Sequence, residues 1–185
     1  LHSELASSGK IAVVLDTGAL LAKYYRLLPR TRLDVFTVSL AVNEVKDPDN
    51  KQALIEAIDL EVIRVIDPDK DYLESALRAV RNTGLITRLS TTDIHVIALA
   101  LMLKEKYRDV VVITDDYDIQ NTLYGLKISF KPLRTRGIAR FIRYTVYCPL
   151  CYYTPSNPGE EICPLCGVLL TRKKSSELPT SRGAL

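Results

Sequence analysis

Three features of this 185-residue chain predict an α/β fold: a parallel sheet flanked by helices, with a small zinc ribbon at the C-terminal end. Between residues 11 and 132, short apolar β-branched runs alternate with longer helical patterns, the signature of strand–helix–strand units. All four cysteines fall in the last fifth, as Cys148-Pro-Leu-Cys151 and Cys163-Pro-Leu-Cys166. Apolar content of 47% with 25% charged residues is that of a globular domain in water, and the length suits one ordinary domain plus a small appendage.

Ile11 to Leu15 (IAVVL) is wholly apolar and ends at Asp16, so it reads as a buried parallel strand. DTG follows, then a helical pattern, ALLAKYYRLL, stopped near Pro29. Asp34 to Val38 is a second strand. Ser39 is placed to cap a helix carrying Glu44 in its first turns, which Pro48 breaks or restarts before NKQALIEAIDL continues it. Glu61 to Ile66 is a third strand, and DKDYLESALRAVRNTG an amphipathic helix closed by Gly84. Ser90 caps the long apolar helix IHVIALALMLKEKY, with Asp93 standing where a capping box carries Glu. Asp109 to Thr114 is a fourth strand, running into Asp115-Asp116-Tyr117-Asp118. The helix IQNTLYGL leads to a fifth strand, KISFKP, and RTRGIARFIRY reads as a basic connecting helix.

The expected organisation is therefore residues 1–10 as an N-terminal extension of partly artificial origin, 11–132 as the main domain, 133–145 as the connecting helix, 146–174 as the ribbon and 175–185 as a flexible tail. The opening LHSELASSGK has no hydrophobic stretch of the kind a signal peptide needs, and no apolar run approaches a membrane span. A cytoplasmic, reducing location with no membrane partner is expected, and it suits thiolate chemistry.

Zinc takes four soft ligands at tetrahedral corners, and each Cys-x-x-Cys turn offers two. Eleven residues separate the pairs, room for a hairpin, so Cys148, Cys151, Cys163 and Cys166 are read as ligands of one structural zinc. Disulfides fit poorly, because the rest of the chain is self-sufficient without cysteine. A redox pair fits poorly too, because neither CxxC follows a strand and opens a helix.

Net charge is +3, unevenly spread. Residues 131–174 hold eight Lys or Arg against two Glu, a balance of +6; residues 175–185 cancel, so residues 1–130 carry −3. Arg134, Arg136, Arg140, Arg143, Arg172, Lys173 and Lys174 thus become candidates for holding a polyanion, with ordinary solvated surface as the competing reading. Tyr144, Tyr147, Tyr152 and Tyr153 cluster around the first knuckle, as padding for a small ribbon or as stacking partners for bases.

Asp16 ends the first strand, Glu44 lies in the helix after the second, Asp93 opens the long helix, and Asp115, Asp116 and Asp118 follow the fourth strand. In an open parallel sheet, positions just beyond strand C-termini converge on one crevice. Each acid alone could be a turn or cap residue. Together they would repel one another unless a hard divalent cation, Mg²⁺ or Mn²⁺, neutralised them, and such ions serve phosphodiester hydrolysis. LDTGA also matches an aspartic-protease motif, but a helical pattern follows it and no second DTG exists. A haloacid-dehalogenase phosphatase would need a second Asp where Gly18 stands.

VVLDTGAL, SLAVNEV, LSTTDIHVIALA and Thr114-Asp115-Asp116, in that order and spacing, resemble a PIN domain, a metal-dependent ribonuclease fold. With a basic segment, a CPxC…CPxC ribbon and the TDDYDIQN stretch added, the chain resembles the Nob endoribonucleases, in a compact archaeal-type form. The resemblance implies that Asp16, Glu44, Asp93 and Asp116 hold Mg²⁺ or Mn²⁺. It places Asp116 ahead of Asp115 as the fourth acid, with Asp118 as a supporting partner. It further implies trimming of the 3′ end of small-subunit rRNA from its precursor within the pre-ribosomal particle, by in-line attack of water that leaves 5′-phosphate and 3′-hydroxyl ends. Thr114 and Ser90 become candidates for orienting the acids, while His95, two residues past Asp93 on a helix, is read as packing. A non-catalytic RNA-binding assembly factor and a toxin-type PIN ribonuclease are the alternatives.

Overall fold

The computed structural model describes residues 9–138, 140–156 and 160–177. Five parallel strands, β1 (Ile11–Leu15), β2 (Leu33–Thr37), β3 (Arg64–Val65), β4 (Val110–Ile113) and β5 (Ser129–Lys131), pair in the order β3-β2-β1-β4-β5. Six helices connect and flank them: α1 (Thr17–Leu21), α2 (Ser39–Glu44), α3 (Pro48–Asp59), α4 (Lys70–Thr83), α5 (Thr91–Lys104) and α6 (Tyr117–Gly125). The chain leaves β1 towards β2 on one side and later adds β4 on the other. That reversal opens a crevice at the C-terminal ends of the two central strands.

β1 is central because it is apolar on both faces: Ala12, Val14 and Leu15 are fully buried. α5 is apolar all round, as a helix inside a core must be, and residues from Ile94 to Leu103 pack against the sheet and α4. α4 is amphipathic, burying Ala76, Val80 and Thr83. Among the described residues no helix is long and apolar enough to cross a membrane.

Several boundaries differ from expectation. The helix after β1 stops at Leu21, because Lys23 turns left-handed (φ 51°) and redirects the chain into a 3₁₀ turn that buries Tyr25. Ser39 does not cap α2; Val38 occupies that position, and the Asp67 carboxylate accepts the Ser39 N–H at 2.9 Å. Glu44 accordingly closes α2. The third strand shrinks to two residues, since the Val62 and Ile63 N–H groups bond to the Ala57 carbonyl and so finish α3. Pro48 restarts the helix, with Asp47 as its cap.

The largest correction concerns residues 133–145, whose described residues form no helix. Three acceptors take their backbone N–H groups instead. The Asp115 carboxylate accepts from Leu133, Arg134 and Thr135, and Gln120 accepts from Ile138. Asn121 both accepts from and donates to the backbone of Ile142, mimicking a neighbouring strand. From there β6 (Ile142–Tyr147) pairs antiparallel with β7 (Thr171–Glu177), so β-structure starts before residue 146 and runs past residue 174. The predicted tail beyond Glu177 and most of the N-terminal extension lie outside the described residues.

Gly84 ends α4 in the left-handed region (φ 72°), and a Cβ there would lie 1.6 Å from the Tyr144 carbonyl oxygen on β6. Gly84→Ala combines a backbone penalty with an overlap against main chain, which cannot swing aside. It is expected to cost about 2–5 kcal/mol, read as a lower Tm with early protease cleavage around residues 133–141 as β6 is pushed off α4.

Candidate active site

Asp16 leaves β1 and caps α1, its Oδ1 accepting the Ala19 N–H at 2.6 Å, and only 8% of the residue is exposed. Glu44, at the end of α2, is gripped by two hydroxyls: Thr17 donates to Oε2 at 2.6 Å and Thr92 to Oε1 at 2.5 Å. Those threonines are chain neighbours of Asp16 and Asp93, so Glu44 ties the two aspartate-bearing turns together. Asp93 completes a full capping box with Ser90 at the start of α5. Asp116 caps α6, accepting from the Asp118 and Ile119 N–H groups at 2.7 and 3.0 Å. Thr114, fully buried, accepts the Asp116 N–H at 3.0 Å and bonds to the Asp16 carboxylate. Four elements thus deliver four acids to one end of the sheet, at the point where strand order reverses.

The acids act on one another through their charges. Burial pushes the Asp16 carboxyl above its ordinary value, and the charges of Asp93 and Asp115 add to that against relief from Thr114 and Ala19. Asp93 is raised likewise, by burial and by the charges of Asp116 and Glu44, against hydrogen bonds from Ser90. The carboxylates do not close into a cage: among the described residues no group of three or more acids brings its ligand atoms within 4.8 Å of one another, as the four cysteines do. Hard cations that keep several waters suit such spaced oxygens, and a divalent charge would relieve both raised aspartates. The residues present fit a metal of that kind.

The other acids have separate employment. Asp115 Oδ1 collects the three linker N–H groups and the Thr135 hydroxyl, and the Arg134, Thr135 and Leu133 amides hold its carboxyl below the ordinary value. Asp118 pairs with Arg88 at 3.2 Å and with Arg172 of the ribbon at 3.9 Å. The His95 Nδ1 is buried and has no hydrogen-bond partner.

In the ribbon, the Cys148–Cys166, Cys151–Cys163 and Cys151–Cys166 sulfurs stand 3.3, 3.4 and 3.6 Å apart. Those separations approach the ~3.8 Å edge of a tetrahedron with 2.3 Å metal–sulfur bonds. Crowded sulfurs cannot all ionise unaided. The Val168 N–H lowers the Cys166 thiol, yet its bond to the Cys148 sulfur, burial and the other two cysteines outweigh that and push it up to about 12. A cation at the centre removes the conflict, so the set fits a tetrahedral metal.

Pleating distributes the basic residues over two faces. Tyr144 and Val146 turn towards the main domain, Arg172 lies 4.5 Å over the Tyr144 ring, and Lys174, the β7 partner of Tyr144, is exposed. Arg143, Thr145 and Lys173 occupy the outward positions. Arg134, Arg136 and Arg140 are exposed along the linker, the first beside Asp115. Arg81, which bonds the Ser156 carbonyl, and Gln120 and Asn121 were not foreseen as joining the two parts. The polar run Gln120-Asn121-Thr122 between Ile119 and Leu123 was the available signal.

Fold and site together define a PIN-type ribonuclease carrying a tetracysteine ribbon, and comparison with known proteins agrees. Residues 13–103 match the family described as the PIN domain of ribonuclease. Endoribonuclease Nob1 of Methanothermobacter thermautotrophicus is 35% identical over 87% of this chain and 92% of its own length. Endoribonuclease Nob1 of Pyrococcus abyssi is 33% identical over 85% and 91%. Ribonuclease VapC1 of Thermoplasma acidophilum is 32% identical over 90% and 80%. The chain belongs to the Nob1 family of endoribonucleases, hydrolases of RNA phosphodiester bonds.

Proposed function

We propose that this chain matures small-subunit rRNA, cutting its precursor at the 3′ end with the help of Mg²⁺ or Mn²⁺. The observation that carries the reading is the delivery of Asp16, Glu44, Asp93 and Asp116 by four elements to one end of the sheet, with Asp16 raised by burial and the charges of Asp93 and Asp115, and Asp93 by burial and the charges of Asp116 and Glu44. When bound, a divalent cation activates water and stabilises the leaving oxygen. The chain's own residues set the stage: Asp16 and Asp93 supply charge, Thr114 orients Asp16 and Asp116 together, and Thr17 and Thr92 hold Glu44. Their preorganisation on strand ends and helix caps keeps the oxygens in place before substrate arrives.

Zinc is the ion best suited to the four thiolates, and its role is structural because no position is left for water. Arg134, Arg136, Arg140, Arg143, Lys173 and Lys174 supply contacts to RNA phosphates, while Arg172 chiefly fastens the ribbon through Asp118 and Tyr144. The pre-ribosomal particle is the partner and the reducing cytoplasm the location, in keeping with four unpaired cysteines.

The test is incubation of the full chain with RNA spanning the mature 3′ end. Cleavage at that end in Mn²⁺ or Mg²⁺, with 5′-phosphate and 3′-hydroxyl products, is expected. Tight binding without cleavage in either metal would favour a non-catalytic assembly factor.

A further inference from the structure

The two CPLC knuckles are built alike, and they disagree at one residue. In the first, Cys148 donates its N–H to the Tyr153 carbonyl at 2.8 Å and Tyr152 donates to the Cys148 carbonyl at 3.0 Å. In the second, Cys163 donates to Val168 at 2.8 Å and Gly167 to Cys163 at 2.9 Å. The residue after the second cysteine is left-handed in both, with φ 72° at Gly167 and φ 60° at Tyr152. Glycine adopts that conformation freely; a bulky aromatic does so only at a cost. Packing does not explain the tyrosine, because Tyr152 is 76% exposed. Its ring lies parallel to that of Tyr147, 8° between planes and 6.4 Å between centroids. A strained, exposed residue that the fold does not need calls for a ligand.

We infer that Tyr152, backed by Tyr147, is a stacking platform for an unpaired base of the RNA substrate, an inference that rests on reading the chain as an RNA nuclease. A parallel aromatic pair offers a flat open face, and every nucleobase has a matching one. Charge fits the same occupant. Tyr147 pairs with Thr171 at the start of β7, and Lys173, two residues along, faces outward with Arg143, where phosphates flanking a stacked base would lie. The ribbon then reads a single strand by ring face as well as by charge.

The test uses the full chain in an Asp16→Asn background, so that RNA survives. Its probes are a short single-stranded oligoribonucleotide and the same backbone with abasic positions. Tyr152→Asn, which accepts the left-handed backbone but has no ring, is expected to weaken the base-bearing probe about tenfold or more. Affinity for the abasic probe and metal content should stay as in the parent, Tm should not fall, and Tyr152→Trp should restore binding. Equal affinity of Tyr152→Asn and the parent for the base-bearing probe overturns the inference, as does equal weakening on both probes. Loss of bound metal in Tyr152→Asn marks a structural residue and also overturns it. A wild type that binds but never cuts RNA would count against the nuclease reading and leave the platform standing.

Discussion

Asp16→Asn is expected to abolish metal-dependent cleavage, by about 10³-fold or more, because several kcal/mol of transition-state stabilisation depend on the ion that we propose it helps hold. RNA affinity should be nearly unchanged, since the basic linker and ribbon are untouched. The same substitution is expected to raise the Tm of the metal-free protein. Burial raises the Asp16 carboxyl above 3.8, so the folded state holds a proton that the unfolded chain releases. Between that ordinary value and the raised one, stability falls as pH rises, and above both the cost is constant. Asparagine carries no charge and still accepts the Ala19 N–H, so the variant should melt higher at neutral pH. The advantage should vanish as pH drops below the ordinary value. Scanning calorimetry of both metal-free proteins across pH checks this, and a variant that melts lower at neutral pH would show that Asp16 serves the fold.

Breaking the cysteine cage should have the second large effect. Apart from Val146 and the cysteines Cys148 and Cys163, the ribbon buries little apolar surface, whereas the buried residues of the main core run from Ala12 to Ile128, with Tyr144 of β6 packed partly buried against them. Structural zinc supplies about 10–16 kcal/mol of folding free energy in small finger peptides. Cys148→Ser should therefore unfold the ribbon and leave the nuclease domain intact. Bound zinc should drop to zero, proteolysis should remove the C-terminal segment, and a short unstructured RNA should still be cut. The log–log salt slope of RNA binding should shrink by about 0.7 for each phosphate contact the ribbon gave up. An unchanged slope would place RNA contacts elsewhere.

The parts legible in sequence were those governed by local pattern. IAVVL could only be a buried strand, and DVVVIT another, so the two central strands and the acids at their ends followed directly. Ser90 and Asp93 announced a capping box, and Gly84 a helix end. Residues 133–145 were misread because helical spacing of apolar and basic residues is a weak signal against competing hydrogen bonds. Asp115, Gln120 and Asn121 sit far away in sequence and claim that backbone. The same distance hid the division of labour among Asp115, Asp116 and Asp118. Adjacent in the chain, they point to the linker, to the cap of α6 and to the arginines. The T-x-D spacing favours Asp116; in the structure all three are engaged, Asp116 as the cap of α6.

The central claim is that Asp16, Glu44, Asp93 and Asp116 hold the catalytic metal. Mn²⁺ binding to the full chain, zinc-loaded and otherwise metal-free, tests it most directly through the electron paramagnetic resonance of free and bound ion. Wild type should bind Mn²⁺, and Asp16→Asn and Asp116→Asn should each lose it, while Asp115→Asn and Asp118→Asn should bind nearly as wild type. Retention of Mn²⁺ at wild-type affinity in the Asp116 variant, or its loss only in the Asp115 or Asp118 variant, would contradict the account.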